Sequence, residues 1–148
     1  MSEFDDLRAL LAGPLPRIEK AREAAEIIRR ARSYRWVGIY HVTPDEISAI
    51  AWAGADAPLF PRFPATEGLN GAAVQSGEPV VVQDVSCDLR YLTTFASTRG
   101  EAIFPIKSRS TGRVVGTIDV ESSEVNAFTP EEQAFLAACA DELAPLWS

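Results

Sequence analysis

Histidine occurs once in the 148 residues, at His41, and cysteine twice, at Cys87 and Cys139. A metal centre built on His and Cys takes about four such ligands, so none is expected, and two cysteines cannot frame a disulfide scaffold. Positive charge is also short. Lys plus Arg is 14 against 21 for Asp plus Glu, a formal net charge of −7. Such a surface repels phosphates, which argues against nonspecific nucleic-acid binding and against adhesion to anionic lipid. No apolar run approaches the ~20 residues that span a bilayer. The N-terminus, Met1-Ser2-Glu3-Phe4-Asp5-Asp6, is acidic where a secretory signal is basic and then apolar. The expectation is a cytoplasmic protein. A Gly-x-Ser-x-Gly elbow is missing, which disfavours a serine hydrolase. No Lys-Ser/Thr follows Gly68 and Gly71, so their stretch is not a nucleotide P-loop.

What is present reads as one folded domain: 47% of the residues are hydrophobic and 24% charged. Residues 1–32 form a helical segment, with Leu7, Leu10 and Leu11 in a first short helix. Gly13-Pro14-Leu15-Pro16 interrupts it. A second helix runs over 17–32, with Ile18, Ala21, Ala25 and Ile28 at helical spacing. Residues 33–148 carry the strand signals: 35–42, 47–53, an edge at Arg62-Phe63, 80–82, 101–108 and 113–121. A short helix fits Gly68–Ser76, ended by Gly77. Thr129, Pro130 and Glu132 announce a last helix, whose buried stripe is Phe135, Leu136, Cys139, Leu143 and Leu146. Strands joined by tight turns imply an antiparallel sheet, and the fold class is α+β. Five or six strands carry the N- and C-terminal helices on one face.

Strand side chains alternate between the two faces of a sheet. On the last strand Val114, Gly116, Ile118 and Val120 share one face, and Val115, Thr117, Asp119 and Glu121 the other. By the same alternation Trp36 and Tyr40 of the first strand and Glu101 of the fifth join the second set. The loop from Gly54 to Gly77 would cover that face, closing a pocket with aromatic walls and an acidic floor. Clustered carboxylates and aromatic faces both favour a cation. The alternative for Asp119 and Glu121 is a solvated strand end, or a bond to Arg99 or Arg113. The glycines at 68 and 71 either permit a tight helix entry or leave backbone N–H groups for an anion.

Five stretches in order resemble a GAF domain, and within that family the free methionine-(R)-sulfoxide reductase group. They are Arg35-Trp36-Val37-Gly38-Ile39-Tyr40, Gly68-Leu69-Asn70-Gly71-Ala72-Ala73, the strand Pro79 to Asp84, Arg99-Gly100-Glu101-Ala102-Ile103-Phe104-Pro105-Ile106, and Val115-Gly116-Thr117-Ile118-Asp119-Val120-Glu121-Ser122. The resemblance implies that Glu101, Asp119 and Glu121 receive a ligand's amino group, beside a wall of Trp36 and Tyr40. It places Asn70 at the same pocket. Glu121 stands where the group has Asp. The group's three cysteine positions hold Phe60, Asn70 and Thr94 here, none of which can act as a thiolate. Cys87 has no second cysteine near it in sequence, and Cys139 lies on a buried stripe.

The resulting expectation is a noncatalytic, sensory GAF domain for an amino-acid-like or cationic small molecule, without cofactor or metal and without catalytic residues. A homodimer paired through the terminal helices is expected. A divergent sulfoxide reductase using Cys87 and a ligand-free dimerisation module are the alternatives.

Overall fold

The computed structural model describes residues 2–93 and 95–148. Helices α1 (Glu3–Ala12) and α2 (Arg17–Arg32) come first. Strands β1 (Trp36–Val42), β2 (Glu46–Ala53) and β3 (Arg62–Pro64) follow, then α3 (Gly68–Ser76) and β4 (Val80–Val82). After a 3₁₀ turn at Val85–Cys87 come β5 (Gly100–Lys107), β6 (Val114–Ser122), α4 (Pro130–Glu142) and a second 3₁₀ turn at Ala144–Trp147. The six strands form one sheet in the order β3-β2-β1-β6-β5-β4. Every neighbouring pair is antiparallel. Among the described residues no helix is long and apolar enough to cross a membrane.

Local signals explain the helix limits. At α1 the Ser2 hydroxyl accepts from the Asp5 N–H and the Asp5 carboxylate accepts from the Ser2 N–H, a reciprocal cap. This turns the expected short amphipathic stretch into a helix of 10 residues. The Thr129 hydroxyl accepts from the Glu132 N–H at 3.3 Å and opens α4, as its sequence announces. That helix ends at Glu142, so Leu143 and Leu146 bury from the turn beyond it rather than from the helix itself.

The sheet separates two kinds of packing. Val37, Ile39, Ala102, Phe104, Ile106, Ile118 and Val120 face α1, α2 and α4 in one hydrocarbon core. Leu7, Ile28, Leu136 and Leu143 are fully buried there, each stabilising the fold by about 1.5–3 kcal/mol. The other face carries Trp36, Tyr40 and Ile47 under Phe63, with α3 and the long loops above. Two bulges interrupt the alternation. Ile39 pairs with Ala51 but Tyr40 with Ala49, and Ile106 pairs with Gly116 but Lys107 with Val114. Ile50 and Val115 are the extra residues. The second bulge reverses the expectation for two valines: Val115 packs on the helix side and Val114 on the loop side.

The end of the chain is tied into this core. The Trp147 indole lies over Gly116, where a Cβ would overlap it. Its Nε1–H donates to His41 Nδ1 at 3.0 Å, and the Arg17 guanidinium sits 5.2 Å above its ring. Burial and the Arg17 charge hold His41 below the usual histidine range, in keeping with a neutral acceptor.

Candidate functional site

The register of three central strands builds the site. Glu121 on β6 lies opposite Trp36 on β1 and opposite Glu101 on β5. One step along, Asp119 lies between Gly38 and Ile103, and a further step puts Thr117 between Tyr40 and Pro105. Alternation turns the acids to the same side. Glu101, Asp119 and Glu121 each offer one carboxylate oxygen within 4.8 Å of the others. Their exposures are only 3%, 1% and 0%. They are not a solvated strand end, and the hydrogen bond on Asp119 comes from Asn70 rather than from Arg99 or Arg113.

Neutral groups fix the carboxylates in place. From α3, Asn70 Nδ2 donates to Asp119 Oδ2 at 3.1 Å. The Thr117 hydroxyl donates to Asn70 Oδ1 at 2.5 Å, which sets the orientation of the amide. The Thr98 hydroxyl donates to Glu121 Oε1 at 2.7 Å. The other Asp119 oxygen, Oδ1, is buried and accepts no hydrogen bond among the described residues. Buried acceptors rarely go unmatched, so this oxygen marks a place for a donor.

Burial, then the charges of Asp119 and Glu121, push Glu101 well above the usual carboxylate range. Burial raises Asp119 to about 6, against the opposing effect of its neighbour Glu101 and the Asn70 hydrogen bond. The Tyr40 hydroxyl is likewise held well above its ordinary range by burial and by the three acids.

A cavity opens on Glu101 and Asp119, lined also by Tyr40, Phe60, Phe63, Gly68, Leu69, Asn70 and Leu92. It leaves about 10 Å³ for the centre of a water-sized sphere, room for one small group. The aromatic wall differs from the expectation. Tyr40 lines the cavity, whereas Trp36 lies behind it and folds over Gly38, where any Cβ would overlap its ring. Its Nε1–H donates to the Asp56 carbonyl at 3.0 Å, and Phe95 meets it edge-on at 5.3 Å. Trp36 thus ties the long loop to the sheet. Glu121 joins the acid cluster through its carboxylate but does not line this cavity.

Sequence patterning placed Thr117 on the right face without a role. It missed Thr98, which lies in an irregular stretch where no periodicity operates. Of the three positions that hold cysteine in the resembling group, Phe60 sits half-exposed at the cavity and Asn70 bonds Asp119, while Thr94 lies outside the described residues. Cys87 is exposed in its 3₁₀ turn and is not part of the cavity lining. Cys139 is a core thiol, pushed up to about 12 chiefly by burial.

Two of the six cluster oxygens already accept from Asn70 and Thr98. A hard divalent ion takes about six or more oxygens, whereas an ammonium is satisfied by three acceptors. Among the described residues Asp119 Oδ1 is left to accept from a cationic group that supplies donors.

A family model of the GAF domain matches residues 16–145. The chain belongs to the GAF domain family. Solved structures similar to this GAF domain include the free methionine-R-sulfoxide reductase of Neisseria meningitidis in complex with its substrate. That chain is 25% identical with a TM-score of 0.87, over 97% of this chain and 85% of the other. The type II free methionine-R-sulfoxide reductase of Thermoplasma acidophilum is 26% identical with a TM-score of 0.81, over 98% and 94% of the two chains. Protein YtsP of Bacillus subtilis is 24% identical over 123 residues, 83% of this chain and 74% of its own length.

Proposed function

We propose that this GAF domain binds a small ammonium-bearing ligand of amino-acid type and catalyses no reaction on it. The observation that carries the reading is Asp119 Oδ1, a buried carboxylate oxygen that accepts no bond among the described residues, beside two further acids. An ammonium provides three donors and the missing positive charge. Gly68 and Leu69 line the same cavity at the start of α3, which no side chain caps. Their N–H groups would receive the ligand's carboxylate and hold a zwitterion at both ends once Phe60 and Leu92 move aside, since the cavity as it stands admits one small group.

The noncatalytic part rests on the cysteines. Phe60, Asn70 and Thr94 cannot form a disulfide, Cys139 is buried, and Cys87 lies outside the cavity lining. Thioredoxin-coupled reduction of free methionine sulfoxide that disappears in Cys87→Ser would overturn it.

A thermal-shift screen over amino acids, their oxidised forms, polyamines and cyclic nucleotides should find an amine that stabilises the protein. Calorimetry should then show weaker binding in Asp119→Ala, by about 1.5–3 kcal/mol, the scale of a hydrogen bond to a charged group. A second reading, a dimerising scaffold without ligand, is favoured by the small void under Phe63 and Leu92. Failure of every amine to bind at millimolar concentration would establish that reading instead.

A further inference from the structure

Glu101, Asp119 and Glu121 bring three carboxyl groups together in a buried place. One oxygen of each lies within 4.8 Å of the others, and none of the residues is more than 3% exposed. Among the described residues, the side chains that act on Glu101 and Asp119 bring no positive charge, while Arg32 and Arg35 line a separate cavity with Glu121. Strand β1 brings the Tyr40 phenol and α3 the neutral Asn70 amide, while Thr98 brings a neutral hydroxyl to Glu121. The groups acting most strongly on Glu101 and Asp119 are the other acids and Asn70, and no arginine, lysine or histidine is among them. Phe60, Phe63 and Leu92 limit access of water from above. Close, buried carboxylates disfavour one another's ionisation, and a proton held by one can bond its neighbour. Among the described residues Asp119 Oδ1 has no donor, and Glu101 is within hydrogen-bonding reach of Asp119.

We propose that the ligand-free cluster holds one proton shared between Glu101 and Asp119, and that an ammonium group entering the cavity takes the proton's place and expels it to solvent. The exchange balances in charge. One positive charge enters with the ammonium, one leaves as a hydrated proton, and the only bond broken is a carboxyl O–H. Burial raises both Glu101 and Asp119 above the usual carboxylate range, the direction this requires. The inference rests on the ammonium reading of the site and adds how that site responds to pH. Affinity for an amine should rise about tenfold per pH unit while the proton is held, and level off once it has left.

The full chain at neutral pH tests this with methylammonium chloride as the probe. Infrared spectra of the ligand-free protein should show the C=O stretch of a protonated carboxyl, lost in Glu101→Gln. Asp119→Asn serves the same purpose should the first variant fail to fold. Methylammonium should abolish the band. Calorimetry in buffers of different ionisation enthalpy should report release of close to one proton. Absence of the band in the ligand-free protein, or binding without proton release, overturns the exchange and leaves the ammonium reading standing. A band that persists while neither methylammonium nor any amino acid binds overturns the ammonium reading, and the exchange falls with it.

Discussion

Asp119 is held by a neutral amide at one oxygen and, among the described residues, by no donor at the other. Its place among acids gives the folded chain a distinctive pH dependence. Asp119, raised to about 6, and Glu101, raised further in the same direction, bind protons more tightly folded than unfolded. Their contribution is complete below the unfolded carboxylate range and is lost as pH rises through about 6 and beyond. Two other groups must be separated from it. His41 is lowered, so its protonation costs stability as pH falls through about 6.5. Glu26 and Asp88 are lowered by their arginine partners and lose their effect only at more acidic pH. The difference between wild type and Asp119→Asn cancels these terms. Thermal or urea melts should show Asp119→Asn gaining on the wild type as pH rises from about 5.5 to 8, by roughly 1–3 kcal/mol at the upper end. Parallel pH profiles for the two proteins would contradict the assignment.

Among the elements, β1 shows most clearly what alternation can and cannot convey. Trp36, Gly38 and Tyr40 were legible as one face, and the structure keeps them there. That Gly38 is the seat of the Trp36 ring was not legible, because a glycine in a strand does not announce what lies on it. Gly38→Ala should cost about 1–3 kcal/mol through overpacking against Trp36 and Tyr40, read as a lower denaturation midpoint with unchanged m-value. At α4 the cap was spelled out in the sequence, and Thr129→Ala should cost about 1 kcal/mol in the same measurement. The bulge at Val115 escaped the reading since Val114 and Val115 are the same residue type, and either satisfies either face. The acid cluster was legible because three charged residues fell on one face of two strands. The small size of the cavity was not, because it depends on how Phe60, Phe63 and Leu92 settle from loops that have no period.

The molecule as a whole has one core shared by the N-terminal helices and the sheet. Ala21, Ala24, Ala25 and Ile28 of α2 are fully buried in it. Removing residues 1–32 would therefore strip a wall from the core, and such a truncation cannot isolate an effect on association. We propose that the chain pairs through the outer surface of these helices and their connection, where Leu15 of the connection and Ile18 of α2 remain 37% and 56% exposed. Ile18→Glu leaves the core intact and should shift the sedimentation mass at micromolar concentration from dimer to monomer. A wild type that already sediments as a monomer would count against the pairing.

The two faces of β5 and β6 also bear on how such a domain can diverge. The loop side takes the odd positions, 101, 103, 117, 119 and 121, while the helix side takes the even ones, 102, 104, 106, 118 and 120. Substitutions among the acids of the odd set change the chemistry of the loop-side cavity, while the even set supplies the hydrocarbon layer under the helices. A lineage can alter the charge lining that cavity while the scaffold on the helix side persists. Deleting a single residue within either strand would trade the two sets, sending acids into the hydrocarbon layer. Descendants of this chain are thus expected to vary in these strands by replacement and to keep their length.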